Sequence, residues 1–243
     1  MFENFSSPFE PPSPGDKTLA GRLAREIEGE VLFDRFSRGR YSTDASHYQI
    51  DPIGVVIPKT ANDIAAIIAI AADEGAPVLA RGAGTSQCGQ TVGEAVVVDV
   101  SRHLNRILEF HPEARTVWVE PGLVLDQLNA FLEPHGLWFP VDVSTSSRAT
   151  IGGMTGNNSC GARSIRYGSM RDNVRAIEAV MMNGESMRFG ELSDNTATGT
   201  TRAAPTVLTD RQQTLVAGLL DIGRREATEI TERFPDLMRR VGG

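Results

Sequence analysis

The sequence predicts an α+β protein made of two α/β blocks, and three features carry that expectation. Residues 53–100 alternate strand, helix, strand, glycine loop and strand. A similar block begins at Thr116. Each block holds one glycine-rich tract: "ARGAGTSQCGQT" (Ala80–Thr91) in the first and "VDVSTSSRATIGGMTGNNSCGARSIRYGSMRDNV" (Val141–Val174) in the second.

The elements follow in order. Residues 3–16 carry four prolines and little that is apolar apart from Phe5 and Phe9, which predicts an extended arm. Leu19, Leu23 and Ile27 recur at helical intervals and predict a short amphipathic helix over 18–30. "IGVVIP" (Ile53–Pro58) reads as a buried strand stopped by proline. Thr60, with Asp63 three residues on, opens a helix whose apolar face is Ile64, Ile67, Ile68 and Ala71, and Gly75 suits its left-handed C-terminal position. "PVLA" (Pro77–Ala80) and "AVVVDV" (Ala95–Val100) are strands on either side of the first glycine tract. In the second block, "TVWVEPG" (Thr116–Gly122) is a strand ending in a Pro-Gly turn. Leu125, Leu128 and Leu132 mark a helix closed by Gly136. Residues 175–190 read as a hairpin turning at Asn183-Gly184. Residues 191–206 are a polar, threonine-rich loop, and two helical stretches follow.

Composition narrows the function. The chain has 243 residues, 40% hydrophobic and 23% charged, as an ordinary globular protein has. A formal charge of −7 with no basic stretch argues against nucleic-acid binding. The longest apolar run, Ile64–Ala72, is too short to span a bilayer. The first sixteen residues lack the basic start and apolar centre of a secretory signal. Cys88 and Cys160 are the only cysteines, which fits a reducing compartment and offers no metal-binding spacing. Both read as inert, small buried residues. The expected location is the cytoplasm, peripheral to the inner membrane if an electron-transfer partner sits there.

The first glycine tract allows three readings. Taken alone, Gly82 and Gly84 serve a turn as readily as a ligand. A Rossmann fingerprint fails, because the spacing in "GAGTSQCG" is wrong and a strand follows instead of a helix. A Walker loop fails for want of Gly-Lys-Ser/Thr. An anion-binding nest fits: successive unobstructed amides, with Thr85 and Ser86 hydroxyls as further donors and Arg81 beside them. The second tract is a long loop by the same reading, anchored by Ile151, Met154, Ile165, Tyr167 and Val174. Two ligand-shaped loops imply one extended ligand, and a dinucleotide is the natural candidate.

Three stretches carry a family resemblance: "YSTDASHYQIDPIGVVIPKTANDI" (Tyr41–Ile64), "PVLARGAGTSQCGQTVGEAVVVDVSRHLNRI" (Pro77–Ile107) and "ATIGGMTGNNSCGARSIRYGSMRDNV" (Ala149–Val174). In these the chain resembles flavoproteins of the vanillyl-alcohol-oxidase type, with the p-cresol-methylhydroxylase (PCMH)-type FAD-binding fold. It is most similar to the D-2-hydroxyacid dehydrogenase branch: glycolate oxidase FAD subunits, D-lactate dehydrogenases and D-2-hydroxyglutarate dehydrogenases. Within that branch it looks most like the N-terminus of the long FAD/iron–sulfur fusion proteins. The resemblance implies an N-terminal arm and helix (1–40), a first FAD-binding subdomain with the pyrophosphate loop (41–110), a second subdomain (111–190), and a loop with helices (191–243).

It also implies roles. Gly82, Ala83, Gly84, Thr85 and Ser86 would wrap the FAD pyrophosphate through their amides, helped by Arg81. Asp142, Ser144 and Thr145 would lead into a second wall of Thr150, Ile151, Gly152, Gly153, Asn157, Ser159 and Gly161 along the flavin and its ribityl-phosphate stem. Val174 would lie near the adenine. His47, His103, His111 and His135 all lie outside both tracts and read as surface or packing residues, so FAD is expected to be non-covalent. Arg163 and Arg166 remain open between flavin phosphate, substrate carboxylate and solvent.

The resembled enzymes pass a hydride from the α-carbon of a D-2-hydroxy acid to flavin N5, and the electrons leave through another centre. Their general base and carboxylate clamps lie in a downstream cap domain. The sequence is therefore expected to be an N-terminal portion with its FAD domain cut short at the C-terminus, and it assigns no catalytic residue. An iron–sulfur cluster is expected only in a downstream region. The expected partners are a small 2-hydroxy acid, an electron acceptor of unspecified kind, and either another copy or a downstream domain. Two alternatives stand beside this one: a flavin reductase of the cell-wall-precursor type, and a flavin-binding module without catalysis of its own.

Overall fold

A computed structural model describes residues 10–190 and 209–234. The Asp16 carboxylate accepts from the backbone N–H groups of Thr18 and Leu19 at 2.8 Å and so starts α1 (Lys17–Glu26). After it come β1 (Glu30–Leu32), α2 (Arg35–Tyr41), β2 (Gly54–Ile57), α3 (Ala61–Asp73), β3 (Val78–Arg81) and β4 (Val96–Asp99). They form one sheet in the order β1-β2-β4-β3, with β2, β4 and β3 parallel and β1 antiparallel at the edge. β2 and β4 are buried along their whole length, which is why valine fills them without polar alternation. Leu19 and Leu23 of α1 share a core with Ile67, Ile70 and Ala71 of α3 and with Val56, Val96 and Val98 of the sheet. Thr60 Oγ1 caps α3 by accepting from Asp63 N–H at 3.1 Å. The buried Asp63 carboxylate in turn accepts from the N–H groups of Glu28 and Lys59. These contacts make α1 and β1, expected to lie in a preceding arm, part of the first layer.

The second layer opens with a hairpin of β5 (Ile107–His111) and β6 (Thr116–Val119). β5 straddles the expected boundary at 110/111. Its register shifts between Ile107 and Glu109, and that irregularity hides the strand period in the sequence. Next comes α4 (Leu125–Leu132), with Leu125, Leu128 and Leu132 buried, and a single 3-10 turn that ends at Gly136. The tract at 141–174 is not the long loop its sequence suggests. It folds into α5 (Ile151–Gly156), α6 (Ser164–Tyr167) and α7 (Met170–Asn173), each too short to show a helical period. Ile151, Met154 and Met170 are buried and pack with the leucines of α4. Ile165 and Tyr167 are not core anchors: Ile165 is 77% exposed, and Tyr167 packs edge-on against Trp138 at the surface. Met170 supplies the anchor instead.

β7 (Ala176–Val180) and β8 (Ser186–Gly190) form the expected hairpin around Asn183 and Gly184, and its turn lies beside Ala65 and Ala69 of α3. α8 (Asp210–Arg225) joins that hairpin through Arg211 to Glu185 (3.0 Å) and Gln212 Nε2 to the Arg188 carbonyl (3.2 Å). α9 (Ala227–Arg233) follows. The first residues of the expected arm (3–9) and the polar loop at 191–206 lie outside the described residues. Among the described residues, no helix is long and apolar enough to cross a membrane.

Two outcomes follow from these contacts. Met170→Ala should destabilise the protein by about 2–5 kcal/mol through lost burial and a residual cavity, read as a lower urea midpoint. Glu120 is buried and accepts from both the backbone and the guanidinium of Arg106, at 2.7 and 2.8 Å. The Arg106 guanidinium holds the Glu120 carboxyl below the usual glutamate range, against the opposing effect of burial. Its contribution to stability is therefore full above the unfolded pKa of about 4.3 and is lost as pH falls through the lower native value. The stability gap between the parent and Glu120→Gln should accordingly narrow as pH falls below about 4.3. A constant gap would rule the linkage out.

Candidate functional site

The site begins where β3 ends. The chain leaves Arg81, crosses the carboxyl end of the parallel sheet, and returns through Thr91 toward β4. Along the way the backbone N–H groups of Gly82, Ala83, Gly84, Thr85, Ser86 and Gln87 have no hydrogen-bond partner among the described residues. None of these six residues is buried, so the donors are left to solvent or to a ligand. Gly84 has φ +69°, the left-handed conformation that turns neighbouring amides toward a common side. Ser86 departs from expectation. Its hydroxyl donates to Gln90 Oε1 (2.8 Å) and accepts from the N–H groups of Cys88 and Gln90, so it shapes the loop and leaves only its amide free.

Beneath the loop lies Arg81, 9% exposed. Its Nη1 donates to the carbonyls of Tyr41 and Thr91, both at 3.1 Å, and its Nη2 to the carbonyl of Thr43 at 2.8 Å. The guanidinium also stacks over the Tyr41 ring. Burial pulls its pKa down while Asp99, Tyr41 and Asp44 oppose the shift, and a guanidinium stays charged throughout. The Tyr41 hydroxyl donates to Asp99 Oδ2 at 2.7 Å, and burial followed by that carboxylate pushes the phenol well above its ordinary range. A short loop bridged at Thr43 and Gln49 leans on the glycine tract from outside. Ala45 N–H donates to the Gly84 carbonyl (3.1 Å), and Asp44 accepts from the Thr91 hydroxyl (3.1 Å). Burial works against the Asp44 charge, but hydrogen bonds from Ser46 and Thr91 hold its carboxyl below the usual aspartate range.

The second tract meets the first at one point. A Cβ on Gly82 would collide with Thr150 Oγ1. Thr150 is buried and caps α5, accepting from Gly153 N–H at 3.3 Å. Gly152 N–H donates to the Pro121 carbonyl (2.8 Å), which seats α5 on the Pro-Gly turn after β6. Just upstream, the amides of Ser144 and Thr145 are unpaired among the described residues, while the Thr145 carbonyl receives Arg148 and Ala149.

Other expected site residues are turned to internal tasks. The Asp142 carboxylate accepts from Arg163 N–H (3.0 Å) and faces its guanidinium, and Gly161 lies hard against it. Asn157 donates to the hydroxyl of buried Ser159 at 2.9 Å. Ile151 is buried in the core. Val174 borders a shallow cavity of about 440 Å³ with Ile177 and Phe189. Arg163 stacks on Trp138 and Arg166 on Tyr167. Cys88, expected to be buried, is exposed in the glycine tract, and Cys160 is half-buried. His135 packs with Phe110 and Phe131, His103 and His111 face Glu30 and Glu109, and His47 stacks on Tyr48. Sequence reasoning gave Tyr41, Asp44, Thr91 and Asp99 no role. For Tyr41 and Asp44 the signal was the polar stretch "YSTDASHYQ", which carried only the family resemblance. The donor set suits a pyrophosphate: six successive amides are unengaged, and the nearby carboxylates of Asp44 and Asp99 are already engaged by Thr91, Tyr41 and Ser101.

A family model described as an FAD binding domain matches residues 52–190. The D-2-hydroxyglutarate dehydrogenase of Pantoea ananatis is 35% identical over 230 residues, which are 90% of this chain and 21% of that protein. The glycolate oxidase subunit GlcD of Bacillus subtilis is 38% identical over 170 residues, 68% of this chain and 36% of that one. The chain thus spans about a fifth to about a third of the length of these curated relatives. An alkyldihydroxyacetonephosphate synthase structure superposes with TM-score 0.66 at 17% identity, over 81% of this chain and 38% of that one. A chitooligosaccharide oxidase gives 0.63 at 15% identity, over 72% and 37%. At such identity the likeness concerns the fold.

The junction of the two tracts is testable. Gly82→Ala should cost about 1–3 kcal/mol by overpacking against Thr150. Adding Thr150→Ala should recover part of that loss, although Thr150→Ala alone removes a helix cap and costs about 1 kcal/mol. Strict additivity in chemical denaturation would show that the two residues do not touch.

Proposed function

The chain belongs to the FAD-binding domain family, and on that premise we propose that it is the FAD-holding portion of a flavin-dependent oxidoreductase acting on a D-2-hydroxy acid of the lactate, glycolate or 2-hydroxyglutarate class. The single observation that carries the reading is the run of six unpaired amides at 82–87, bent around Gly84 and closed by Thr150. A dianionic pyrophosphate is the part of FAD that such donors match. When bound, FAD supplies the two-electron acceptor for the substrate's α-carbon hydride.

The chain's own residues bind and orient. Gly82, Ala83, Gly84, Thr85 and Ser86 present amides to the pyrophosphate, and the Thr85 hydroxyl adds a donor. Ser144 and Thr145 offer two more amides where the second wall begins. Thr150, Gly152 and Gly153 form that wall's floor, while Asp142, Ile151, Asn157, Ser159 and Gly161 hold its shape from behind. Val174 and its cavity suit the flat, apolar adenine. Substrate contacts and the electron acceptor belong to groups beyond these tracts. The curated relatives oxidise different 2-hydroxy acids by name, so the class is as far as the support reaches.

The purified chain, mixed with FAD and desalted, should retain an oxidised-flavin spectrum and release the cofactor on denaturation. Gly84→Val should weaken FAD binding by tenfold or more: its Cβ would lie 2.6 Å from Arg81 Nη2, at a φ that L side chains avoid. A folded parent chain that retains no flavin would overturn the proposal.

A further inference from the structure

The pyrophosphate loop is held at three points by a network that touches no ligand-facing amide. At its start, Arg81 reaches sideways to Tyr41 and Thr43; at its end, the same guanidinium takes the Thr91 carbonyl. At its middle, the Gly84 carbonyl takes Ala45 N–H. Asp44 closes the frame on Thr91, through its hydroxyl at 3.1 Å and its N–H at 3.5 Å. One planar ion therefore fixes the separation of residues 81 and 91 and docks the 43–49 loop along the outside.

We propose that Arg81, with Asp44, is a positioning residue for the cofactor: it frames the glycine loop so that the amides of 82–87 stay unpaired and convergent, and it acts through the backbone instead of contacting the phosphates. The role rests on the FAD reading and adds to it the element that sets affinity. Two observations separate positioning from direct electrostatic contact. Both terminal nitrogens of Arg81 already donate to carbonyls. Its charge also faces two carboxylates, Asp99 and Asp44, so the cluster offers little net positive potential to a phosphate. Left to itself, a ten-residue loop of free donors gains by folding onto its own carbonyls, since an unmade hydrogen bond costs more than a made one gains. The frame opposes that by engaging two of the loop's own carbonyls, Gly84 and Thr91, and by tying Arg81 to the carbonyls of Tyr41 and Thr43 outside it.

Lysine at 81 distinguishes the two roles, because it keeps the charge and loses the planar fork. Arg81→Lys, Asp44→Asn and the parent chain would be compared by FAD titration and by amide hydrogen exchange of the FAD-free protein. In Arg81→Lys, the Kd for FAD should rise about tenfold or more, and the Ala45 and Thr91 amides should exchange about tenfold faster, with β2 and β4 unchanged. Asp44→Asn should move the same amides and raise the Kd about threefold. FAD affinity within twofold of the parent in Arg81→Lys overturns the proposal, whether or not exchange quickens. Should Arg81→Lys fail to fold, Asp44→Asn decides on the same terms: unchanged exchange and Kd overturn it. A parent chain that binds no FAD would sink the functional reading instead, and the exchange data would still judge the frame.

Discussion

Thr150 stands where a side chain at Gly82 would have to be, and that contact fixes how the two halves of the chain meet. Thr150 is itself immobile, buried and capping α5, while α5 is seated on Pro121 through the Gly152 amide. Pro121 directly follows Glu120, whose carboxylate is tied to Arg106 just beyond β6. A line of groups thus runs from the β5–β6 hairpin to the tip of β3. The glycine loop stands on that line, and neither tract has a defined partner surface without it.

The loop's unpaired amides are stable only because the solvent side of the loop stays open. Buried without partners, six N–H groups would cost more than a domain's net stability allows. Hydrated, they cost little, and on the proposed reading a pyrophosphate that replaces the water recovers charge-assisted hydrogen bonds. The 43–49 loop braces the arrangement from one side, with Ala45 N–H on the Gly84 carbonyl and Asp44 on the Thr91 hydroxyl. Just before that segment, Tyr41 at the end of α2 reaches Asp99 at the end of β4 through its hydroxyl, so the frame is tied to the buried sheet.

Much of this was legible in the sequence where the signal was local. The Thr60–Asp63 cap, the leucine spacing of α4 and the Asn183-Gly184 turn each predicted their element, because each is a short-range preference with its own chemistry. The glycine tract was readable as a strand-to-strand loop because its spacing and the strand after it excluded the helix-based alternatives. Three things were not legible. β5 carries a bulge that breaks alternation. The short helices α5 to α7 are stabilised by Met170 and by caps such as Thr150, neither of which leaves a periodic trace. The frame around Arg81 joins residues 41, 43, 44, 81, 91 and 99, and no local pattern links a tyrosine carbonyl to an arginine forty positions later. Ser86 misled for a related reason: a serine hydroxyl in a glycine loop looks like a ligand donor until its own loop is seen to use it.

If the loop receives a dianion as proposed, a chain of formal charge −7 faces an electrostatic problem, and the one buried cation at the loop, Arg81, already donates to three carbonyls. Peptide N–H dipoles carry the attraction, and they do not titrate, whereas the one buried guanidinium is balanced by Asp44 and Asp99 and serves as a fastener. This explains the composition of the tract. A lysine-rich loop would add ionic attraction but would also add flexible, strongly hydrated side chains between backbone and ligand. Glycine removes the side chains and lets the backbone approach. The cost is a loop with little intrinsic preference for any shape, and the arginine beneath it supplies the shape that the glycines lack.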